Sequence, residues 1–189
     1  MPDRLGIRFF EQSALRLSAC LPGTILVKRV GVRIRRARLV EVEAYAGPKD
    51  LASHSSKGRT ARTEVMFGPA GRAYVYFIYG MYWMFNVVAG RTGRAHAVLV
   101  RAAEPLDGWD ADLTGPGKLA RAFRITREHN GLELTGDDFH FEADPAWRPR
   151  LVRSKRIGVD YAGPWKERLY RFVDVRNPVA KRLRDILGS

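Results

Sequence analysis

Hydrophobic and polar residues alternate with different periods along the chain, and these periods predict its secondary structure. Residues 7–21 carry apolar side chains at helical spacing up to Pro22-Gly23, which predicts one helix. A second helix is predicted from Gly117 to about Phe123, and a short amphipathic helix over 178–187. Runs of β-branched and aromatic residues predict strands over 24–30, 32–45, 73–79, 82–89 and 95–102, with further candidates near 138–142, 151–157 and 168–175.

The order of these elements predicts an α+β fold. Strands 24–30 and 32–45 are expected to pair as a hairpin around Gly31, and strands 73–79 and 82–89 as a hairpin around Gly80-Met81. Strands outnumber helices and do not alternate regularly with them. We therefore expect a curved antiparallel or mixed sheet with surrounding helices, rather than a doubly wound sheet. No repeat or shift in composition divides the chain, so residues 1–189 are predicted to form a single compact domain.

The segment VEVEAYAGPKDLASHS, residues 40–55, holds the first group of candidate site residues. On a strand, side chains two residues apart share a face. The inward-packing set is Val40, Val42 and Ala44, and the set on the opposite face is Glu41, Glu43 and Tyr45. His54 follows the break at Gly47-Pro48 and can fold back beside Tyr45. This grouping suits a hydrolytic pocket, because a carboxylate takes a proton from water while the rings hold a flat substrate.

The segment GRAYVYFIYGMYWMFN, residues 71–86, crowds four tyrosines around one turn: Tyr74, Tyr76, Tyr79 and Tyr82. Tyr76 and Tyr79 are three residues apart, so on a strand they point to opposite faces. One can line a pocket while the other projects outward beside the turn. An exposed aromatic side chain at a turn can fill the gap that a flipped base leaves in its stack. The other large residues are expected to pack in the core, namely Val75, Phe77, Trp83 and Phe85.

The charge of the chain narrows the choice of partner. Lys and Arg number 33 against 20 Asp and Glu, which gives a net charge of +13. Such an excess favours a polyanion, nucleic acid before an anionic membrane. The hydrophobic share of 46% and the charged share of 28% are typical of a folded globular protein, so disorder does not explain the charge.

Cysteine usage and hydropathy predict the compartment. Cys20 is the single cysteine, so no intramolecular disulfide can form, and its helical context predicts a small buried side chain. The amino terminus MPDRLGIRFF lacks a signal-peptide core, and no apolar run approaches the roughly 20 residues that cross a bilayer. We expect an intracellular protein, in a bacterial cytoplasm or nucleoid rather than a nucleus.

The two segments above, in this order and spacing, resemble the alkyladenine (3-methyladenine) DNA glycosylases. The resemblance continues with LVRAAEPLDG at 99–108, GPGKLARAF at 115–123 and RIGVDYAGPW at 156–165. It implies a single compact α+β domain that acts on damaged double-stranded DNA without a metal or other cofactor. No membrane partner is implied, and a monomer is expected because the protein must slide along duplex DNA.

The resemblance implies roles in the chemistry for three positions. Glu43 matches the general base that activates water for attack on the sugar, and Arg101 matches a basic residue near that water. The sugar passes through an oxocarbenium-like state, which an ionised Glu43 would stabilise. Tyr79 matches the side chain that enters the duplex in place of the extruded nucleotide.

The resemblance also implies a base-binding pocket. Tyr45, His54 and Tyr76 match the residues that hold the flipped base between their rings. Asn86 matches a residue that disfavours normal guanine by crowding its amino group. A cationic alkylated purine would be attracted to such rings by about 0.5–2 kcal/mol.

Basic residues and the YGMY turn supply candidates for contacts with the DNA backbone: Lys57, Arg59, Arg62, Met81, Tyr82 and Lys118. Lys118 follows Gly-Pro-Gly at the start of a helix, where free backbone N–H groups suit a phosphate. Glycines before helices are also frequent caps, so the same residues fit a structural role. Glu64 lies close to Arg59 and Arg62 and is unfavourable on a surface that faces DNA.

Together these observations predict a monofunctional DNA glycosylase that flips alkylated or deaminated purines and hydrolyses the N-glycosidic bond, starting base excision repair. Expected substrates are 3-methyladenine and 7-methylguanine, with ethenoadenine and hypoxanthine as further candidates. The four histidines and Cys20 show no metal-ligand spacing. The alternative is a non-catalytic nucleic-acid-binding module that uses tyrosines as stacking platforms, which leaves Glu43 among the aromatic residues unexplained.

Overall fold

The computed structural model describes residues 3–183 and is dominated by one antiparallel sheet. Its strands are β1 Ile25–Val30, β2 Arg33–Tyr45, β3 Ala73–Ile78, β4 Tyr82–Ala89, β5 His96–Pro105, β6 Phe139–Glu142, β7 Leu151–Ser154 and β8 Arg171–Asp174. Its helices are α1 Ile7–Phe10, α2 Ala14–Cys20 and α3 Pro116–Ala122. Shorter 3₁₀ helices cover His54–Lys57, Glu64–Phe67, Arg127–His129, Asp160–Glu167 and Pro178–Arg182. The predicted α+β class and both predicted hairpins are confirmed.

Strand β2 is the centre of the sheet. The strand order is β3-β4-β5-β2-β1-β6, and β8 pairs with both β2 and β7. Along one edge of β2, the first half pairs with β1 and residues 41–43 pair with β8, while β5 pairs along the other edge. Residues 41–43 therefore lie between two strands that are far apart in the sequence.

A register shift between β2 and β5 corrects one prediction about β2. Val42 and Ala44 lie in the main core as predicted, whereas Val40 packs in a separate cluster with Val173 and Ala180. The pairing skips Val40 on one strand and Arg101 on the other. Such a bulge changes the phase of the alternation locally, which a strict period of two cannot predict.

The amino-terminal helix differs from the prediction because it is broken. The predicted helix over 7–21 forms two short helices, α1 and α2, separated near Ser13. The Ser13 side chain accepts a hydrogen bond from the backbone N–H of Arg16, which starts a new helix with an N-cap. Cys20, at the end of α2, is exposed, so the prediction that it is buried is wrong.

The main core lies between the sheet and the three helices. Phe10, Leu17, Phe85 and Phe123 are all fully buried there. The prediction that Phe77 packs in the core is wrong, because its side chain is 45% exposed. Its ring packs against Trp83 at a centroid distance of 4.7 Å. Phe77 therefore lies at the surface of the β3–β4 hairpin, whereas Trp83 is half-buried and packs against the main core as predicted.

Helix α3 rests directly on the β3–β4 hairpin through Gly117. A Cβ atom on Gly117 would lie 2.6 Å from Cδ1 and 2.9 Å from Cγ of Tyr82, which is closer than real contacts allow. Glycine at this position therefore permits close approach of the helix to the ring, in addition to any role in phosphate binding.

We expect Gly117→Ala to destabilise the protein by about 1–3 kcal/mol, because the added methyl group must push Tyr82 or the helix away. Alanine would otherwise favour the helix by about 1 kcal/mol, so a loss of stability isolates the clash. Urea unfolding measures the change. Gly115→Ala is the matched control, since its Cβ would find only Lys118 Cδ at 4.0 Å. Equal stability of the two variants would contradict the prediction.

The carboxyl-terminal segment is described only in part. The helix predicted over 178–187 forms a 3₁₀ helix over Pro178–Arg182, and residues 184–187 lie outside the described residues. Within residues 3–183, no helix is long and apolar enough to cross a membrane.

Candidate active site

A cavity of about 550 Å³ opens on the face of the sheet opposite the main core. Strands β2 to β5 provide one wall, and the segments around His54 and residues 157–161 provide the other. Seven of the predicted site residues line it, namely Tyr45, His54, Arg62, Tyr76, Tyr79, Asn86 and Arg101. The apolar part of the lining comes from Ala52, Met66, Ile78, Met84, Ala97, Leu99, Ile157 and Val159.

An aromatic cluster forms one wall of the cavity. The rings of His54 and Tyr76 meet edge to face, with centroids 4.6 Å apart. Tyr74, which is almost fully buried, lies 5.4 Å from Tyr76, and its hydroxyl is 2.9 Å from Nδ1 of His54. The backbone carbonyl of Tyr74 also accepts a hydrogen bond from Nδ2 of Asn86 at 3.1 Å. Tyr74 therefore orients both the imidazole and the amide that line the cavity.

His54 is held in its neutral form. Burial, followed by the positive charge of Arg62, lowers the pKa of His54 from 6.5 to about 4. A neutral imidazole has one N–H donor and one acceptor nitrogen. Because Nδ1 contacts the Tyr74 hydroxyl, Nε2 is the nitrogen available to another partner.

We expect the imidazole of His54 to titrate near pH 4 in the folded protein, followed by NMR of the ring protons. An unfolded histidine titrates near 6.5, so the unfolded chain binds this proton first as the pH falls. The contribution of His54 to stability is thus fully present above pH 6.5 and is lost as the pH falls toward 4. His54→Gln should remove this part of the pH dependence of unfolding. Titration of His54 near its ordinary value would contradict the expectation.

Glu43 lies immediately behind the cavity wall and is fully buried. Its Oε2 accepts a hydrogen bond from the Tyr45 hydroxyl at 3.0 Å, and its Oε1 accepts one from the backbone N–H of Ile157 at 2.8 Å. The Nε of Arg101 is 3.5 Å from Oε1. The three residues that contact the carboxylate all line the cavity, whereas Glu43 itself does not. Burial, followed by the charge of Glu43, raises the pKa of Tyr45 well above 10, so its hydroxyl remains a donor.

Arg101 belongs to a buried group of charges beneath the cavity. Its Nε donates to Oε1 of Glu41 at 2.9 Å, and Nε of Arg171 donates to the same oxygen at 2.6 Å. Burial acts to lower the pKa of Arg101, but the carboxylates of Glu43 and Glu41 raise it, and the net change is upward. Glu41 thus anchors the guanidinium that lies between Glu43 and the cavity.

A second buried ion pair supports Tyr45 from the side away from the cavity. Arg156 and Asp50 are fully buried and form two hydrogen bonds, of 2.6 and 2.9 Å. The guanidinium also donates to the carbonyl of Ala44 and lies 4.9 Å from the centroid of the Tyr45 ring. Because Ile157 follows Arg156 in the chain, this ion pair positions two of the groups that contact Glu43.

Tyr79 lies at the mouth of the cavity, in the turn between β3 and β4. Its φ is +53° and that of Gly80 is +66°, and Tyr79 is 76% exposed. A positive φ is uncommon for a bulky residue and marks a conformation that the surroundings must hold. Tyr76 and Tyr79 both line the cavity, so the expected opposite faces do not apply. The physical reason is that Tyr79 lies beyond the end of β3, where strand alternation stops.

The remaining backbone candidates lie outside the cavity. Lys57 and Met81 are exposed, and Tyr82 packs against Gly117. Arg59 is held by Glu64 through two hydrogen bonds of 2.6 and 2.7 Å, and Lys118 Nζ pairs with Asp112 at 2.7 Å. These carboxylates would compete with phosphate for the two cations. The negative charge of Glu64, which is unfavourable on a surface that faces DNA, is neutralised by Arg59.

Several residues of the site were missed from the sequence. Tyr161 is 70% exposed, lines the cavity and donates from its hydroxyl to the carbonyl of Ala52 at 3.1 Å. The sequence assigned it no role, although the tyrosine in RIGVDYAGPW was the available signal. No local pattern identifies Ile157 or Asp50, because each acts through a residue more than 100 positions away. Among the described residues, no group of three or more His, Cys, Asp or Glu could hold a metal ion.

An aromatic cavity backed by a buried carboxylate, on an α+β sheet, agrees with the class of protein that the sequence resembles. The model of the protein family described as "Methylpurine-DNA glycosylase (MPG)" matches residues 8–178 of this chain. The chain belongs to this family, and it is therefore a DNA glycosylase, a hydrolase. Family membership favours the enzyme over the non-catalytic binding module.

Curated relatives support the same assignment. A protein of Anaeromyxobacter sp. (strain Fw109-5), named "Putative 3-methyladenine DNA glycosylase", is 48% identical over 180 residues, which covers 95% of this chain and 93% of the relative. A protein of the same name from Legionella pneumophila (strain Corby) is 45% identical over 171 residues, covering 90% and 93%. A third, from Myxococcus xanthus (strain DK1622), is 48% identical over 166 residues, covering 86% of each chain.

Proposed function

We propose that the protein excises alkylated purines from double-stranded DNA, beginning with 3-methyladenine and 7-methylguanine and extending to ethenoadenine and hypoxanthine. The nucleotide is flipped into the cavity, and a water molecule activated by Glu43 hydrolyses the N-glycosidic bond. The observation that carries this proposal is the fully buried Glu43 carboxylate, bonded to Tyr45 and Ile157 directly behind an aromatic cavity.

The shape and lining of the cavity support the binding of a flat base. Tyr45 and Tyr76 both face it, together with His54, and aromatic faces stack on purine rings. A volume of about 550 Å³ accommodates a nucleotide and is within the usual range for ligand sites. Asn86, fixed by its hydrogen bond to Tyr74, can crowd the amino group of normal guanine.

The surroundings of Glu43 support its role as the base. Each carboxylate oxygen accepts one protein hydrogen bond and has a further lone pair for water. As the bond to the purine breaks, positive charge develops on the sugar, and the carboxylate stabilises that charge and takes the proton of the attacking water. Arg101, anchored by Glu41, limits the positions open to that water.

The turn at Tyr79 supports base flipping. Its exposed ring stands at the rim of the cavity, where it can replace the extruded nucleotide in the stack. Tyr161, also exposed at the rim, is placed to contact the same nucleotide. The net charge of +13 favours binding to the DNA backbone. The residues that we propose contact this backbone are Lys57, Arg59, Met81, Tyr82 and Lys118.

The experiment that tests this function measures free base released from three substrates and from undamaged duplex. The substrates are duplexes with one ethenoadenine, duplexes with one hypoxanthine, and randomly methylated DNA. Release of a damaged base, with no release from undamaged duplex, supports the proposal and defines its range. Tight binding of all duplexes without release of any base would overturn it.

A further inference from the structure

A single N–H group of Arg101 lies between two buried carboxylates. Its Nε donates a hydrogen bond to Oε1 of Glu41 at 2.9 Å and lies 3.5 Å from Oε1 of Glu43. Both carboxylates are buried, and so is most of the guanidinium. Among the described residues, Glu41 is the only one that accepts a hydrogen bond from the side chain of Arg101. Glu41 and Glu43 therefore compete for one N–H group, and Glu41 holds it.

Glu41 is itself fixed by a second arginine. Its Oε1 also accepts from Nε of Arg171 at 2.6 Å, and residues 171–173 of β8 pair with residues 41–43 of β2. The same oxygen thus joins β8 to Arg101, the arginine of β5 that lines the cavity. Each of these bonds links a charged donor to a charged acceptor and is about twice as strong as a neutral hydrogen bond. The position of Arg101 is therefore determined by Glu41 and not by Glu43.

This position of Arg101 matters for the hydrogen bonds of Glu43. Oε1 of Glu43 already accepts from the backbone N–H of Ile157, and Oε2 accepts from the Tyr45 hydroxyl. A carboxylate oxygen has two lone pairs, so a bond from Arg101 would occupy the second one on Oε1. The closer positive charge would also lower the affinity of the carboxylate for a proton. Both changes oppose the transfer of a proton from water to Glu43.

We propose that Glu41 is a positioning residue for base excision, which holds Arg101 away from Glu43. The Glu43 carboxylate thereby keeps both a lone pair for water and the basicity to take its proton. The inference rests on the proposed function, in which Glu43 is the base. Glu41 does not line the cavity, so it acts through Arg101. In the reaction, the water oxygen bonds to C1′, the electron pair of the glycosidic bond leaves with the purine, and the proton of the water passes to Glu43.

The test measures single-turnover release of 7-methylguanine from methylated DNA as a function of pH. This base is already cationic, so its departure requires no further proton, and the acidic limb of the rate profile reports protonation of the catalytic base. In Glu41→Gln, the rate at neutral pH is expected to fall by about tenfold or more. The acidic limb is expected to move to lower pH by about one unit, because Glu43 loses a neighbouring negative charge and gains a closer positive one. Glu41→Asp keeps the charge and should retain the native limb and most of the native rate.

The other groups around Glu43 do not account for such a limb. Burial raises the pKa of Tyr45, Tyr76 and Tyr161 above 10, so these tyrosines stay protonated throughout. The imidazole of His54, whose pKa is lowered by burial to about 4, is followed separately by NMR. Arginine side chains do not lose a proton under these conditions. The arginines nearest to Glu43 are Arg101 of β5, Arg156 and Arg171 of β8.

Glu104→Gln is the matched control from the same pair of strands. Glu104 of β5 lies opposite Arg38 of β2 and accepts from its guanidinium at 2.6 Å, but neither residue lines the cavity. Loss of this carboxylate should leave both the rate and the acidic limb unchanged. A native acidic limb in Glu41→Gln would overturn the proposal, and so would an equal shift of the limb in Glu104→Gln.

A second measurement does not require Glu41→Gln to fold. The NMR signal of the Arg101 Nε–H group should move little in Glu43→Gln, because its hydrogen bond to Glu41 remains. The signal should move further in Glu41→Asp, where the carboxylate is set back by one methylene group and the bond lengthens. The opposite order would show that Glu43 holds Arg101 and would overturn the proposal. If the native protein released no base from methylated DNA, the proposed function itself would fail, and that result is visible before any variant is compared.

Discussion

Glu43→Gln is expected to lower the rate of base release by about 10²–10⁴-fold while the protein remains folded and still binds damaged DNA. The amide has the shape of the carboxylate but cannot accept the proton of the attacking water. It also removes the negative charge that would stabilise the developing charge on the sugar. Single-turnover release from a hypoxanthine duplex measures the chemical step, and fluorescence anisotropy measures binding of the same duplex.

The contacts of Glu43 predict that this substitution is tolerated by the fold. The amide oxygen of the new side chain can accept from the N–H of Ile157, and its NH₂ group can donate to Tyr45 after the hydroxyl rotates. Arg101 keeps its bond to Glu41 at 2.9 Å. An unchanged melting temperature is therefore the control for folding. A variant that retains more than about a tenth of the native rate would show that Glu43 is not the base.

Arg156→Met is expected to lower the free energy of unfolding by about 3–5 kcal/mol, because it leaves Asp50 buried without its cation. Both side chains are fully buried and lie 106 positions apart in the sequence. Asp50 also accepts from the backbone N–H groups of Ala46 and Ala52, so its loop depends on the same carboxylate. Urea unfolding at neutral pH measures the change.

The adjacent residue supplies the matched control for this prediction. Lys155 pairs with Glu167 at the surface, where both side chains are more than half exposed. Exposed ion pairs contribute little to stability, so Lys155→Gln should unfold at almost the native urea concentration. The double variant Arg156→Met with Asp50→Asn should recover part of the lost stability, because no unpaired buried charge remains and the amide oxygen can still accept from a backbone N–H of the loop. A loss of less than about 1 kcal/mol in Arg156→Met would contradict the importance of the pair.

The loss of Arg156 is also expected to slow base release in the molecules that remain folded. Its guanidinium supports the Tyr45 ring, and Ile157 is the next residue in the chain. Both contact Glu43, so a shift of either changes the hydrogen bonds of the carboxylate. Single-turnover rates measured below the unfolding transition separate this effect from the loss of stability.

The sequence by itself determined the local structure of this protein to a large extent. Both hairpins, strand β5 and helix α3 begin and end within a few residues of the predicted bounds. Alternation of polar and apolar residues is a local property, because each side chain of a strand meets either the core or the other face. The predictions of secondary structure were wrong where a local feature interrupted the regular spacing of apolar residues. These features are the N-cap at Ser13 and the bulge near Val40 and Arg101.

Only the tertiary structure decided how the candidate site is assembled. Glu43 meets Ile157 across 114 positions, and Glu41 meets Arg171 across 130. These contacts exist because residues 41–43 of β2 lie between β5 and β8, a strand order that no local pattern contains. The position of Arg62 over Tyr76 is likewise a result of folding, since the sequence predicted only a contact between Arg62 and the DNA backbone. The sequence thus specifies the chemical groups of the site, and the order of the strands in the sheet determines which of these groups come into contact.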